Sequence, residues 1–535
     1  MKKHDLIYLS LLLIIGLVFM RFFFLPTFPS THDGQNHLAR LANLDLAVRD
    51  GHFPFRWAIN LNHKFGYPVF NFNYYMPELL ALFPFRLGFS FEASLKILIV
   101  TAYIFGSFFW YLFLRQYFKP LAAFCGGLFS LSAIYPLTII WVRGSPGETL
   151  ALALFPLIFL LIKLFSSHPN RLNLFLLTGV LFTLLLSHNI TVLFGLPLII
   201  LFVLIQKQVR LINFLPLILS LGLSMFFWLP VVLEKQFTYL KYFDSLMFIN
   251  HFPSLTQLIY SPWGFGYSIA GLKDGFSFQL GPFHWLAVLA SIFLFFRLKQ
   301  KDHLKKTFLF FGSIFGIYLF FTLPISGLFY RLLPFVNFIQ YPWRLVLFLT
   351  LPAVFLAAWL STHKPKLGLT LAILAVIYAL FITKPQGGFN WKDDYYYLFP
   401  FNSTVGQEAM PIWFEEAKNA TLFDSIERVY KADEVTIQSW RTKQHLYQVT
   451  INKAGLVQEK TAYFPGWELK VDGQKAKILY QDPVHPGLIG YQLSPGIYTI
   501  ETSFTENTPA RKLGDTISLI SLGLLAFFLI KPRFW

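Results

Sequence analysis

The segment Pro29-Ser-Thr-His-Asp-Gly-Gln-Asn-His-Leu-Ala-Arg40 places His32, Asp33, His37 and Arg40 within nine residues. From Asn36 to Asp50, Leu38, Leu41, Leu44 and Val48 recur at helical spacing, and Gly51 follows as a stop. The pattern predicts an amphipathic helix lying at a membrane interface, with Asp33 at its start. A carboxylate there suits a plain helix cap. It equally suits proton removal from a hydroxyl, and the two roles do not exclude each other. His37 and Arg40 read either as solvated groups or as parts of a polar pocket.

Further along, Trp141-Val-Arg143-Gly-Ser-Pro-Gly-Glu148 joins two apolar runs. Pro146 fits the first turn of a helix, so Glu148 falls near the positive helix end. The simple reading is an Arg143–Glu148 ion pair; the sharper one is a charged site for substrate. Gln340-Tyr-Pro-Trp-Arg344 sets an arginine at the start of another run, where aromatic anchoring and snorkelling are the ordinary explanation. Ser187-His188-Asn189 is a tight turn, in which a lone histidine is usually a hydrogen-bonded turn residue. Taken together, the groups have a chemistry that none has alone. Arginines in a dry cleft suit a phosphate or pyrophosphate group, and a carboxylate beside them suits a general base.

The elements that must position these groups are apolar. Of 535 residues, 55% are hydrophobic, 19% aromatic and only 13% charged, where a soluble chain carries about a quarter charged. Runs long enough to span a bilayer fall near 6–25, 91–116, 120–139, 147–165, 171–187, 190–206, 211–232, 282–297, 306–323, 343–360, 366–383 and 512–530. The expected fold is therefore an α-helical polytopic membrane protein of about twelve transmembrane helices, with a shorter re-entrant or interfacial helix near 76–88. The run 6–25 reads as a retained first span, because no small-residue cleavage site follows it.

The net charge of +17 sits in the membrane part, since residues 385–511 carry 12 Lys/Arg against 15 Asp/Glu. A nucleic-acid partner is therefore not expected. Lys2 and Lys3 set the N-terminus in the cytoplasm. The connections with Arg115/Lys119, Lys163/Arg171, Lys207/Arg210, Arg297 through Lys306, Lys364/Lys366 and Lys531/Arg533 then fall on the same side. Both termini are expected in the cytoplasm. The long segments 26–90, 234–281, 324–342 and 385–511 are expected outside, where function is to be sought. Cys125, the one cysteine, lies in an apolar run and can form no disulfide within the chain.

Segment 385–511 reads as all-β. Strand candidates are Val435–Trp440, Leu446–Asn452, Val457–Tyr463, Trp467–Val471, Ala476–Tyr480, Gly487–Leu493 and Ile497–Phe504. Asp472-Gly473 predicts a type I′ hairpin, and the whole suggests a small β-sandwich without a catalytic cluster. The chain thus divides into a multi-span domain (1–384, with first outer loop 26–90), an outer β domain (385–511) and a final span with a short tail (512–535).

The pieces His32-Asp33…His37…Arg40, Phe65-Gly-Tyr-Pro68 with Phe72-Asn-Tyr-Tyr-Met-Pro77, Trp141-Val-Arg143…Glu148 and Gln340-Tyr-Pro-Trp-Arg344 follow one another in an order that carries a resemblance. The chain resembles membrane proteins with the "6-pyruvoyl-tetrahydropterin synthase-related" domain, a family that looks like part of the GT-C superfamily of multi-span glycosyltransferases. The resemblance covers about residues 1–385. Tyr463-Phe-Pro-Gly-Trp467 and Val471-Asp-Gly473 resemble the C-terminal part of YfhO-type bacterial membrane proteins.

The resemblance implies a polyprenyl-phosphate-linked sugar donor, a glycan, lipid or protein acceptor, and an essential carboxylate in the first outer loop, which by position is Asp33. It implies a GT-C-like fold and inversion at the anomeric carbon. His32, His37, Arg40, Arg143, Glu148, His188, Gln340 and Arg344 are then the substrate-binding residues, with Arg143 and Arg344 on the lipid phosphate. Many members pair two acids where this chain has His32-Asp33, so neither a divalent metal nor another cofactor is expected. Two other classes stay open: a lipid or lipid-linked glycan transporter or flippase, against which the lack of ionisable groups at mid-membrane weighs, and a non-catalytic envelope assembly protein displaying its β domain.

Overall fold

A computed structural model describes residues 3–206, 209–242, 247–298, 302–333, 339–401, 403–404 and 407–531. Lys2, Lys207, Lys299, Lys301 and Arg533, on which part of the charge pattern rests, lie outside the described residues.

The chain is mostly helical, with a small β region near its C-terminus. Among the described residues, six helices are long and apolar enough to cross a membrane: Phe91–Leu114, Pro146–Ser167, Leu304–Thr322, Pro342–His363, Pro365–Ile382 and Pro509–Ile530. Two bent pairs qualify if each is taken as one span, Pro120–Ser132 with Ile134–Arg143 (41°) and Leu211–Leu223 with Met225–Phe237 (60°). The expected spans at 171–187, 190–206 and 282–297 appear as shorter apolar helices, Arg171–Leu185, Asn189–Leu204 and Pro282–Arg297. The run 6–25 divides into a helix, Lys3–Phe19, and a tight turn, Arg21–Phe24.

Pro342–His363 is the axis of the bundle and is almost wholly buried, because it is apolar all round. Pro509–Ile530 is the opposite case: Leu513, Leu519, Ile520 and Leu522 are all more than half exposed. Its buried edge packs on the 60° bend through small residues. A Cβ on Gly222 would meet Ser521 Oγ at 2.0 Å, and one on Gly514 would meet the Met225 carbonyl at 2.5 Å. Ser518 Oγ donates to the Gly222 carbonyl (3.1 Å) and accepts the Phe226 amide (2.9 Å), replacing ladder bonds lost at the bend. Large apolar side chains exposed along a helix of this length fit a membrane protein.

The predicted amphipathic helix is present as Gly34–Arg49, and Gly51 ends it at φ +63°. It differs from the expectation in its surroundings. Leu38, Ala39, Leu41, Ala42, Leu44 and Ala47 are all inaccessible, so the helix is enclosed by protein. Its polar residues Asn43 and Asp45 are also inaccessible. Asp45 is held by Arg49 (2.7 Å) and Arg86 (2.5 Å), which is how a buried carboxylate is tolerated. The helix near 76–88 spans Met76–Arg86.

Strand β1 (Phe28–Pro29) pairs antiparallel with β2 (Gly388–Phe389), joining the first loop to the chain after Pro365–Ile382. Eight further strands make two sheets. β4 (Glu434–Arg441), β5 (Gln444–Ile451), β7 (Trp467–Val471), β8 (Gln474–Ala476) and β10 (Gly496–Phe504) lie in the order β4-β5-β10-β7-β8. β3 (Val429–Tyr430), β6 (Gly455–Ala462) and β9 (Leu488–Leu493) make the second sheet. Val449, Leu469 and Ile500 from one sheet share a core with Val457, Tyr491 and Leu493 from the other, giving the expected sandwich. Asp472 and Gly473 both have positive φ (48° and 78°) between β7 and β8, as a type I′ turn requires. The strand expected at 476–480 is not formed: β8 ends at Ala476, and beyond it Leu479 makes only an isolated bridge to Gly490.

Between the sheets Glu459 is inaccessible but fully used. It accepts from His445 Nδ1 (2.7 Å), Tyr447 Oη (3.0 Å) and Thr502 Oγ1 (2.9 Å), and Trp440 stacks on His445 at 3.9 Å. These bonds hold the Glu459 carboxyl below its usual range despite burial.

Candidate functional site

The residues singled out in the sequence meet where two turns touch. Ile139–Arg143 is a single π-helical turn, which ends at Gly144 in the left-handed conformation (φ +65°). Against it runs the extended segment before Gly34–Arg49: the His32 amide donates to the Val142 carbonyl and the Asp33 amide to that of Arg143, both at 2.9 Å. A Cβ on Gly144 would lie 2.1 Å from Thr31 Oγ1, so glycine permits both the left-handed turn and the contact.

Asp33 occupies the N-cap position, yet its carboxylate does no capping. The Gly34 amide, at the first helical position, donates to Thr31 Oγ1 (3.1 Å). The Asp33 carboxylate is half-buried and lies in the field of the Arg143 guanidinium. Arg143 itself is ion-paired with Glu148 and lies 5.1 Å from the Trp343 ring centre. Ser145 caps the helix that Pro146 begins by accepting the Glu148 amide (3.4 Å), which fixes Glu148 one turn in.

His188 caps Asn189–Leu204: its Nδ1 accepts the Thr191 amide (3.2 Å), which leaves Nε2–H directed at Glu148 Oε1, 3.5 Å away. The turn role and the site role thus coexist in one ring. Arg344 donates to Gln340 Oε1 (2.9 Å) and to the Ile339 carbonyl (3.3 Å), and its guanidinium stands 5.0 Å from the Tyr341 ring. Gln340 reaches this position with φ +62°. Among the described residues Arg344 has no carboxylate within ion-pair distance, and its Nε is buried without a hydrogen-bond partner. Arg344, Arg143, Glu148 and His188 interact electrostatically, so one site holds them.

Three predicted site residues are committed to other contacts. His37 Nδ1 donates to Glu78 Oε1 (2.7 Å), with both side chains buried. Arg40 donates through Nε to Ser403 Oγ (3.2 Å) and through Nη2 to the Ser403 carbonyl, tying the first loop to the chain near the β region. Both His37 and Arg40 are buried, where the sequence reading leaves them solvated or in a polar pocket, and both still act on the site electrostatically, His37 on His188 and Arg40 on Glu408. The His32 side chain is held by another loop: Nε2 donates to the Phe265 carbonyl (3.0 Å), and its ring stacks on Tyr267 at 4.7 Å.

Other members come from motifs to which sequence reasoning assigned no role. The Tyr74 ring lies between those of His37 (6.1 Å) and His188 (4.9 Å), and a Cβ on Gly147 would strike it at 2.4 Å. Burial pushes the Tyr74 hydroxyl far above its usual range, so it is a neutral donor. Glu408 interacts with both Arg40 and Arg344, and burial pushes its carboxyl upward. Tyr74 stands in the quoted Phe72–Pro77 motif; nothing in the sequence connects Glu408 with the site. Beneath the Arg143 turn, Ile139, Ile140 and Thr149 help line a cavity of about 40 Å³ that continues between helices along Gly106, Ser107 and Trp110.

The arrangement is a semi-buried carboxylate with no hydrogen bond among the described residues, a buried ion pair beside it, and a second guanidinium whose Nε has no partner among them. It can take a proton and neutralise an anion. No protein-family model and no curated protein matches the chain.

Proposed function

We propose that the protein is a polytopic membrane glycosyltransferase of the GT-C-like kind. It moves a sugar from a polyprenyl-phosphate-type carrier to an acceptor hydroxyl on the outer face of the membrane, with both termini in the cytoplasm and the β domain outside. The observation that carries this reading is the Asp33 carboxylate, which at the N-cap position makes no capping bond and, among the described residues, no hydrogen bond, and which lies in the field of Arg143.

Asp33 accepts the proton of the acceptor hydroxyl as its oxygen attacks the anomeric carbon. The bond from that carbon to the phosphate oxygen breaks, its electron pair stays on the phosphate, and the sugar inverts. Arg344 supports the reading of a counter-charge for that phosphate, because its Nε is buried with no hydrogen-bond partner among the described residues. Arg143 acts at one remove: paired with Glu148, it holds the local field and the 142–143 carbonyls that seat Asp33.

Native mass spectrometry of detergent-purified protein tests the reading. Wild type and Asp33→Asn are expected to carry a polyprenyl-phosphate lipid that Arg344→Met loses. Wild type, but not Asp33→Asn, is expected to turn over a sugar-loaded carrier. Full transfer by Asp33→Asn overturns the assignment of the base. Lipid bound and moved across vesicles with its sugar intact favours a flippase; no bound lipid favours an assembly role.

A further inference from the structure

A second charged cluster lies away from Asp33, where the first loop meets the β region. Asn62, His63 and Lys64 have φ of +55°, +52° and +65°, a left-handed turn of three consecutive non-glycine residues. Each such residue is strained, and a run of them persists only where its surroundings impose it. Here the Asn62 and His63 amides donate to the carbonyls of Phe401 (3.1 Å) and Pro400 (2.6 Å), and the His63 ring stacks on Phe423 at 4.0 Å.

The turn delivers Lys64 to the wall of a cavity of about 60 Å³, lined also by Ser425, Ile426, Arg428 and Lys460. Lys460 projects from β6 and is 1% exposed, with Nζ donating to the carbonyls of Ser425 (2.7 Å) and Phe423 (3.2 Å). The Arg428 guanidinium stands 5.2 Å from the Trp440 ring, and its Nη1 is buried without a hydrogen-bond partner. Among the described residues none of the three cations has a carboxylate at ion-pair distance. Glu459, which feels Arg428, is already committed to His445, Tyr447 and Thr502. Burial first, then the repulsion of Arg428 and Lys64, push the Lys460 ammonium down to about 8 against the weaker opposing pull of the Asp424 carboxylate, which lies beyond ion-pair distance. Three facing cations and an orphaned guanidinium N–H are destabilising as they stand, and one anion relieves both.

We propose that the cavity bounded by Lys64, Arg428, Lys460 and Ser425 binds a phosphate-type oxyanion, either free or as the terminal group of a phosphate ester. Arginine's planar donors, two ammonium groups and a hydroxyl suit a tetrahedral, doubly charged group better than a single carboxylate. The volume holds only a few waters or one such group, so any ester would extend past Ile426, which is 94% exposed. The inference stands independently of the Asp33 reading.

Thermal unfolding of the full chain in detergent, titrated with inorganic phosphate against chloride at matched ionic strength, tests the proposal. A saturable rise in Tm is expected for wild type and for Arg344→Met. Arg428→Met and Lys64→Asn are each expected to weaken the midpoint by about tenfold or more. Asparagine tolerates the left-handed conformation, so Lys64→Asn keeps the fold if Arg428→Met does not. No specific response, or one that Lys64→Asn and Arg428→Met leave unchanged, overturns the proposal, as does a response lost only in Arg344→Met. Competition by a short-chain phosphatidic acid or by a sugar phosphate identifies an esterified ligand; competition by sulfate alone identifies a free oxyanion.

Discussion

Arg143 and Glu148 close a buried ion pair across the Gly144–Gly147 turn, and each also faces a second partner, Trp343 for the arginine and His188 for the glutamate. Removing one charge strands the other. Glu148→Leu is expected to cost about 3–5 kcal/mol in denaturant unfolding, whereas Arg143→Met/Glu148→Leu recovers most of that loss. A double variant as unstable as the single one would show that the charges, rather than their pairing, hold the turn together.

Thr31 and Asp33 divide two jobs that a single cap residue often combines. Asp33→Asn is expected to leave stability within about 0.5 kcal/mol of wild type, because the carboxylate makes no bond that asparagine would lose. Thr31→Val removes the acceptor of the Gly34 amide and is expected to cost about 1 kcal/mol. For transfer the order reverses, with Asp33→Asn losing roughly two to four orders of magnitude in rate. Tm and turnover measured on the same preparations separate the two residues.

Local chemistry accounts for what was legible beforehand. The β strands and the Asp472-Gly473 turn follow from alternation and φ preference within a few residues. Pro146 likewise announces the helix that carries Glu148. The fates of His37 and Arg40 were not legible, because their partners Glu78 and Ser403 lie 41 and 363 residues away. The bends at Ser224 and after Ser132 escaped for a related reason: hydropathy measures how apolar a run is, not whether a neighbouring helix replaces its broken ladder. Asp33 was found by position, but that its carboxylate makes no capping bond is a matter of side-chain geometry that residue type does not encode.

Gly144→Ala tests whether the contact of the two turns is needed. Alanine must adopt φ +65° and would set its Cβ against Thr31 Oγ1, so the segment 31–33 has to leave the Val142 and Arg143 carbonyls. A loss of about 1–3 kcal/mol is expected. A second expectation is faster hydrogen exchange confined at first to the His32 and Asp33 amides. Unchanged exchange at those two amides would mean that the contact survives without glycine.

His52 makes stability depend on pH outside the candidate site. Its ring is 3% exposed beneath Phe504, both nitrogens are buried without hydrogen-bond partners, and Arg56, Lys443 and Arg511 stand nearby. Burial first, then those cations, push its pKa down from 6.5 to about 3. Above pH 6.5 the ring is neutral in folded and unfolded chains alike and adds no pH dependence. Below it the unfolded chain binds a proton that the folded chain refuses, so stability falls as pH drops from about 6.5 to about 3. The slope approaches about 1.4 kcal/mol per pH unit once the unfolded histidine is fully protonated. His52→Leu removes the titrating group and fills the same apolar space. Its unfolding free energy is expected to lose this part of the acid slope while matching or exceeding wild type at pH 5. An acid slope identical in both proteins would assign it to the carboxylates instead.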